Sequence, residues 1–163
     1  IEEAEQFAKN NLHEREYQFF KFGVGDKEEI KILNIEEEIG RSTMLNVTSL
    51  NYEGDPIKKI TIQVKTLDNI CKDYKKYGKI GLKIDTEGYE LNIIKGAKEI
   101  LKKTNFVIAE VRHNHKSFDK QYLMHEFINE MNNNGFILSM ILTAKPLIAD
   151  LCFEKIENLY FNS

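Results

Sequence analysis

The chain has 163 residues, of which 42% are hydrophobic, so its length suits one domain with a sizeable core. Its formal net charge is −3 and its few arginines, Arg15, Arg41 and Arg112, provide no basic surface for a nucleic-acid backbone, so we expect no nucleic-acid partner. The widely separated Cys71 and Cys152 argue against a disulfide framework and against a structural zinc site.

The first third of the chain predicts a helix followed by strands. Apolar residues at helical spacing indicate an amphipathic helix over residues 1 to 12. The stretch YQFFKFGVG and the alternating EIKIL at residues 29 to 33 indicate two strands around a turn at Gly25 and Asp26. Residues 34 to 56 are polar and show no clear period, which predicts that most of them form a loop.

From residue 57 onward, strand patterns alternate with helix patterns. KKITIQV indicates a strand that passes into a helix near Thr66, a suitable N-cap, and IGLKID indicates the next strand. Residues 91 to 101 form a second amphipathic pattern, and FVIAEV is typical of a strand buried on both faces in a parallel sheet. Residues 123 to 131 predict a further helix that ends at Gly135, and FILSMIL and IADLCF predict two final strands.

This order of elements predicts the fold class. Strand, helix, strand and helix, followed by a final pair of strands, indicate an α/β three-layer sandwich. We expect a mostly parallel sheet whose C-terminal strands are antiparallel.

The sequence also gives expectations about the two ends of the chain and about where the protein is located. The chain opens on Ile1 rather than Met, inside a predicted helix, so we expect a native start upstream and a partial domain over residues 1 to 156. The ending ENLYFNS, residues 157 to 163, is either a native tail or derived from a protease tag that differs at one position. The absence of a long apolar run or signal-peptide pattern, together with thiols suited to a reducing compartment, predicts a cytoplasmic protein without a membrane partner.

Three carboxylates lie at the ends of neighbouring predicted strands. Asp85 and Glu87 follow GLKI, and Glu110 lies near the end of FVIAEV. Ligands of open α/β sheets bind beyond the carboxyl ends of the strands, so we expect these acids to face one crevice. There they suit a cationic ligand, a metal ion or proton removal from a hydroxyl. The alternative is that Asp85 and Glu87 cap the following helix and favour its dipole.

The stretch LKIDTEGYELNIIKGAKEIL, followed by FVIAEV, resembles the central signature of the FkbM family of methyltransferases. In that family a strand ends in Lys-Ile-Asp-x-Glu-Gly-x-Glu, a helix carries Lys-Gly-Ala, and the next strand ends in Glu. The segments GVGDKEE, GRSTM, VKTLDNI, GFILSMI and IADLCF are similar to further family elements in the same order. The resemblance covers about residues 1 to 155 and implies a Rossmann-like class I methyltransferase fold.

The resemblance also implies a cofactor, a reaction and roles for individual residues. The cofactor is S-adenosyl-L-methionine, and the reaction is O-methylation of a hydroxyl on a sugar, a glycan or another small molecule. Gly25 and Asp26 are implied to lie beside the adenine pocket. Asp85 and Glu87 are implied to border the methyl-donor site, where carboxylates complement the sulfonium and amino charges. Glu110 is implied to bind or deprotonate the acceptor hydroxyl.

Neighbouring residues receive weaker assignments. His113 is a candidate base on the acceptor side, and with His115 it also offers nitrogen ligands for a metal. Glu90, one turn into the helix, is expected to pair with a nearby lysine, and Tyr89 is expected to pack in the core.

Two other functions remain open from the sequence. The first is a metal-assisted hydrolase that uses Asp85, Glu87, Glu110 and His113. The second follows from a departure from the family pattern, because the chain contains no counterpart of the family's first strand and glycine-rich cofactor loop. Such a chain is either an N-terminally shortened enzyme or a binding module that has lost the cofactor.

Overall fold

The computed structural model describes residues 6–7, 9–10, 17–35, 42–46, 58–73, 78–113 and 119–157. Its strands are β1 (Gly23–Val24), β2 (Glu29–Ile35), β3 (Lys58–Lys65), β4 (Ile80–Ile84), β5 (Thr104–Arg112), β6 (Phe136–Ala144) and β7 (Ile148–Lys155). Its helices are α1 (Leu67–Ile70), α2 (Glu90–Lys95), α3 (Lys98–Leu101) and α4 (Met124–Asn133). Residues 6–7 and 9–10 are helical, as predicted, and the rest of the predicted first helix lies outside the described residues.

The strands form two mixed sheets. The first has the order β1-β3-β2, in which β1 is parallel and β2 antiparallel to β3. The second has the order β4-β5-β7-β6, in which β4 and β5 are parallel and β7 is antiparallel to both of its neighbours. The α/β class and the antiparallel C-terminal strands are therefore confirmed, but the prediction of a mostly parallel sheet is wrong. The connection through α2 and α3 brings the chain back for the parallel β4–β5 pair, whereas a short turn joins the antiparallel β6 and β7.

The core lies on one face of the second sheet. Alternate residues of β5, including Val107 and Ala109, pack with β7 and with α2, α3 and α4 in a single apolar cluster. Residues on the other face of β5 are partly exposed, and Phe106 is 42% exposed. The prediction that β5 is buried on both faces is therefore wrong, because the helices that pack on it cover one face only within the described residues. No helix among the described residues is both long enough and apolar enough to span a membrane.

The predicted helix over residues 91 to 101 is divided into α2 and α3 at Gly96. Gly96 lies against the end of β1, so closely that a Cβ atom on it would come within 2.0 Å of the carbonyl oxygen of Gly25. The Asp68 carboxylate accepts hydrogen bonds from the backbone N–H groups of Glu99 and Ile100 at 3.0 and 2.9 Å, which satisfies the first turn of α3. A close backbone contact therefore sets the position of the break.

Two helix boundaries are as predicted. Thr66 is the N-cap of α1, and its hydroxyl accepts a hydrogen bond from the N–H of Asn69 at 3.2 Å. Gly135 follows α4 with a φ of 79°, the left-handed conformation that favours glycine after a helix. Residues 42–46 contain only an isolated bridge to β2, which agrees with the predicted loop, and most of that loop lies outside the described residues.

Candidate functional site

The site is built around a tight loop, Asp85–Gly88, that connects the end of β4 to α2. Two successive residues of this loop have left-handed backbone conformations, with φ values of 51° at Glu87 and 98° at Gly88. Glycine adopts this conformation freely, whereas a glutamate does so at a cost of about 1 kcal/mol or more. The surrounding structure must therefore hold Glu87 in place.

The buried carboxylate of Glu90 holds the backbone of this loop. Its Oε1 atom accepts hydrogen bonds from the N–H of Thr86 at 2.9 Å, the Thr86 hydroxyl at 3.0 Å and the N–H of Gly88 at 3.1 Å. Its Oε2 atom accepts a hydrogen bond from the Tyr122 hydroxyl at 2.6 Å. The expected pairing of Glu90 with a lysine is therefore wrong, because the side chain turns inward and is only 2% exposed. Tyr89 packs in the core, as predicted.

The three predicted acids meet at the ends of β4 and β5. One carboxylate oxygen of each of Asp85, Glu87 and Glu110 lies within 4.8 Å of the others. Neither Asp85 nor Glu87 caps α2, whose N-cap residue, Tyr89, lies at a position without a side-chain capping hydrogen bond. Instead, Lys83 Nζ lies 3.4 Å from Asp85 Oδ2, and Glu87 pairs with an arginine at the end of β5. The capping alternative is therefore wrong, and the predicted meeting of the acids is confirmed.

Asp150 is a fourth acid at this edge, and the sequence analysis missed it. It lies opposite Glu110 in the antiparallel register of β5 and β7. Its carboxylate accepts hydrogen bonds from the Thr143 hydroxyl at 2.6 Å and from Lys83 Nζ at 3.1 Å. An aspartate inside the apolar stretch IADLCF was the only signal in the sequence, and the register that brings it to Glu110 depends on long-range pairing.

The pKa values of Glu110 and Asp150 shift in opposite directions. Burial raises the pKa of Glu110, and the negative charges of Asp85, Glu87 and Asp150 raise it further, while the Arg112 guanidinium opposes the change. The pKa of Asp150 is lowered instead, first by the hydrogen bond from the Thr143 hydroxyl and then by Lys83. Of these two neighbours, Glu110 is therefore the one adapted to take up a proton.

Of the other predicted site residues, the structure describes Gly25, Asp26 and His113. The N–H of Gly25 donates to the carbonyl of Lys65 at the end of β3, and Asp26 Oδ1 lies 3.5 Å from Asn92 Nδ2 on α2. His113 does not join the acid group within the described part of the chain, and its Nε2 is buried without a hydrogen-bond partner there. His115 lies outside the described residues.

A mostly apolar groove runs between β1 and β4 and reaches the acidic loop. It has a volume of about 630 Å³ and is lined by side chains from both sheets, including Val24, Ile62 and Leu82. Asp85 and Thr86 line it as well. A ligand in this groove would place an apolar part between the sheets and a cationic part beside the carboxylates.

An α/β domain with carboxylates beyond parallel strands and an adjoining groove defines a class of small-molecule-binding proteins, among them many enzymes. The chain matches the family model described as the methyltransferase FkbM domain over residues 2–138, and it belongs to this family of transferases. The family assignment made from the central motif is thereby confirmed. No curated protein and no solved structure matches the chain.

Proposed function

We propose that this protein is an S-adenosyl-L-methionine-dependent methyltransferase that methylates a hydroxyl of a sugar or another small molecule. One observation carries the proposal: Asp85, Glu87 and Glu110 meet within 4.8 Å at the strand ends of a domain of the methyltransferase FkbM family. The proposal includes a cytoplasmic protein and a three-layer Rossmann-like sandwich. The parallel β4–β5 pair and the antiparallel order β5-β7-β6 support that fold.

The negative charges and the apolar groove at the site suit the proposed cofactor. S-adenosyl-L-methionine carries a sulfonium and an amino group, and its methyl group is the electrophile that the reaction needs. Asp85 and Glu87 supply negative charge for these cationic groups, while Gly25 and Asp26 border the position proposed for adenine. The groove beside Asp85 provides a mostly apolar wall for the uncharged part of the cofactor.

Glu110 is the proposed base for the acceptor. A carboxylate with a raised pKa accepts a proton more readily than an ordinary glutamate, which favours removal of the hydroxyl proton as the nucleophile reacts. The proton moves from the acceptor oxygen to a carboxylate oxygen of Glu110. Asp85 acts by charge and by position, with Lys83 Nζ 3.4 Å from its Oδ2 atom.

Isothermal titration tests the cofactor part of this proposal. S-adenosylmethionine and S-adenosylhomocysteine are titrated into the wild-type chain, Asp85→Asn and the control Glu99→Gln. Glu99 is a suitable control because its side chain is 54% exposed and pairs with Lys102, directly after α3. We expect micromolar binding that Asp85→Asn weakens at least about tenfold, a loss of about 1.4 kcal/mol, while Glu99→Gln leaves it unchanged. A folded wild-type chain that binds neither compound contradicts the proposal.

The same acids support a second candidate, a metal-assisted hydrolase. Three carboxylates within 4.8 Å can hold a divalent cation, which would activate water for hydrolysis. His113, the fourth residue expected for this chemistry, is not part of the group among the described residues. Activity that a chelator abolishes favours the hydrolase, whereas chelator-resistant methyl transfer favours the methyltransferase. A folded chain that neither binds the cofactor nor catalyses either reaction would indicate a binding module that has lost the cofactor.

A further inference from the structure

We propose that Glu90 is the positioning residue of the site, holding Asp85 and Glu87 in their ligand-facing geometry through the backbone between them. Tyr122 in turn holds the Glu90 carboxylate through a hydrogen bond from its hydroxyl. The effect on the loop rests on the hydrogen bonds of the structure, whereas the effect on cofactor affinity rests on the proposed function.

The hydrogen bonds of Glu90 are directed at the backbone of the loop. Its Oε1 binds the N–H groups of Thr86 and Gly88, the residues on either side of Glu87. The backbone amides before and after Glu87 therefore donate to the same oxygen atom. This shared acceptor fixes the curvature of the loop around the left-handed Glu87. The acids that face the ligand therefore depend on a carboxylate that does not face it.

Burial makes this arrangement sensitive to small changes. Glu90 is 2% exposed, and a buried carboxylate requires hydrogen bonds to offset the loss of water. Two donors of Thr86, the amide of Gly88 and the hydroxyl of Tyr122 together supply four such bonds, which is about the capacity of a carboxylate. Shortening this side chain by one methylene withdraws its oxygens from donors that have few other partners.

Other contacts hold the same loop at different atoms. The buried Thr43 hydroxyl donates to the carbonyl oxygen of Glu87 at 3.0 Å, and Arg112 binds the Glu87 carboxylate. These contacts hold the carbonyl and the side chain of Glu87, whereas Glu90 holds the amides before and after it. Loss of Glu90 is therefore expected to change the loop while the rest of the sheet remains in place.

Tyr122 links Glu90 to α4. Its ring packs on Phe127 with the ring centroids 5.6 Å apart, and the residue is 5% exposed. Burial and the adjacent Glu90 carboxylate raise the pKa of the Tyr122 hydroxyl, so it remains a donor at all ordinary pH values.

The test compares Glu90→Asp, Glu90→Gln, Tyr122→Phe and the control Glu99→Gln in the full chain. Aspartate keeps the negative charge but has a side chain one methylene shorter. Glutamine keeps the side-chain length and one acceptor oxygen but not the charge. The first measurement is the amide hydrogen exchange of Thr86 and Gly88 without ligand, by NMR. The second is the affinity for S-adenosylhomocysteine, and the third is the midpoint of urea unfolding.

We expect Glu90→Asp to accelerate exchange at Gly88 at least tenfold and to weaken binding by about 100-fold, the scale of a catalytic group displaced by about 1 Å. Glu90→Gln should keep the exchange rate at Gly88 and the affinity within a few-fold of wild type. This rescue would show that the length of the side chain matters rather than its charge. Tyr122→Phe should have an exchange rate and an affinity between those of the two Glu90 variants. If Glu90→Asp does not fold, Tyr122→Phe replaces it in the test.

Unchanged exchange at Gly88 in Glu90→Asp or, failing that, in Tyr122→Phe overturns the inference. So does a lower unfolding midpoint with unchanged exchange and affinity, because that would be a purely structural role. If the wild-type chain does not bind S-adenosylhomocysteine, the proposed function fails, while the exchange rates still decide whether Glu90 holds the loop.

Discussion

Arg112 Nη2 lies 2.6 Å from Glu87 Oε2, which ties the end of β5 to the loop after β4. The two side chains are only 20% and 16% exposed, so water screens this ion pair less than a surface pair. The pair also explains how Glu87 tolerates its left-handed backbone, because the arginine holds its carboxylate from the neighbouring strand. Arg112 thereby stabilises the acid group that the proposed reaction uses.

Replacement of Arg112 by alanine should destabilise the protein by about 2 kcal/mol, the usual contribution of a hydrogen bond between charged groups with little exposure. Urea unfolding of Arg112→Ala, Glu87→Gln and the double variant measures the coupling energy of the pair. A double variant whose loss equals the sum of the two single losses would show that the contact contributes no coupling.

The close contact between Gly96 and Gly25 predicts that a larger residue at position 96 destabilises the protein. Gly96→Ala would place a methyl group 2.0 Å from a backbone carbonyl oxygen, so a backbone segment has to move. We expect a loss of about 3 kcal/mol in unfolding free energy, at the upper end of the usual cost of overpacking. Gly78→Ala is the matched control, because a Cβ atom there has nothing within 4 Å, and it should change stability by no more than about 0.5 kcal/mol. Equal effects of the two substitutions would contradict the close approach.

The raised pKa of Glu110 predicts a pH-dependent difference in stability. The folded state favours the protonated carboxyl, so this contribution is complete below the ordinary pKa of 4.5 and is lost as pH rises through the raised pKa. Glu110→Gln cannot ionise, so it should gain stability relative to wild type across that window. Urea midpoints measured for both proteins at several pH values check the trend. A gain confined to pH values below 4.5 would have the wrong sign.

Asp150 should affect the same titration from the neighbouring strand. Its charge is one of the causes that raise the pKa of Glu110, so Asp150→Asn should lower that pKa toward its ordinary value. Carbon-13 NMR titration of the Glu110 carboxyl group measures this change directly, and the pH at which methyl transfer begins to rise should decrease with it. Thr143→Val is a milder variant, because it removes only the hydroxyl that binds Asp150. An unchanged Glu110 titration in Asp150→Asn would show that the two groups do not interact.

Local patterns predicted the helices, the strands and three acids of the site. Apolar patterns identified β3 to β7, and strands such as β5 and β7 bury alternate residues as those patterns indicate. Thr66 and Gly135 marked helix boundaries because capping depends on nearby backbone groups. Asp85, Glu87 and Glu110 were expected to meet because parallel neighbouring strands end at the same edge of a sheet.

Contacts between distant residues decided what these patterns left open or predicted wrongly. The break at Gly96 depends on Gly25, 71 positions earlier in the chain. Glu90 binds Tyr122 rather than a nearby lysine, because its side chain turns inward toward a hydroxyl 32 positions later in the chain. The single mostly parallel sheet became two mixed sheets because strand pairing depends on the path of the whole chain.

The sequence by itself therefore determined the family, the α/β class and the acids at the strand ends, because these depend on motifs and short-range periodicity. Only the tertiary structure decided how those acids are held and why the pKa of Glu110 is raised. The partners of the acids, Arg112 and Asp150 among them, come from other strands, and their burial and separation control both hydrogen bonding and pKa.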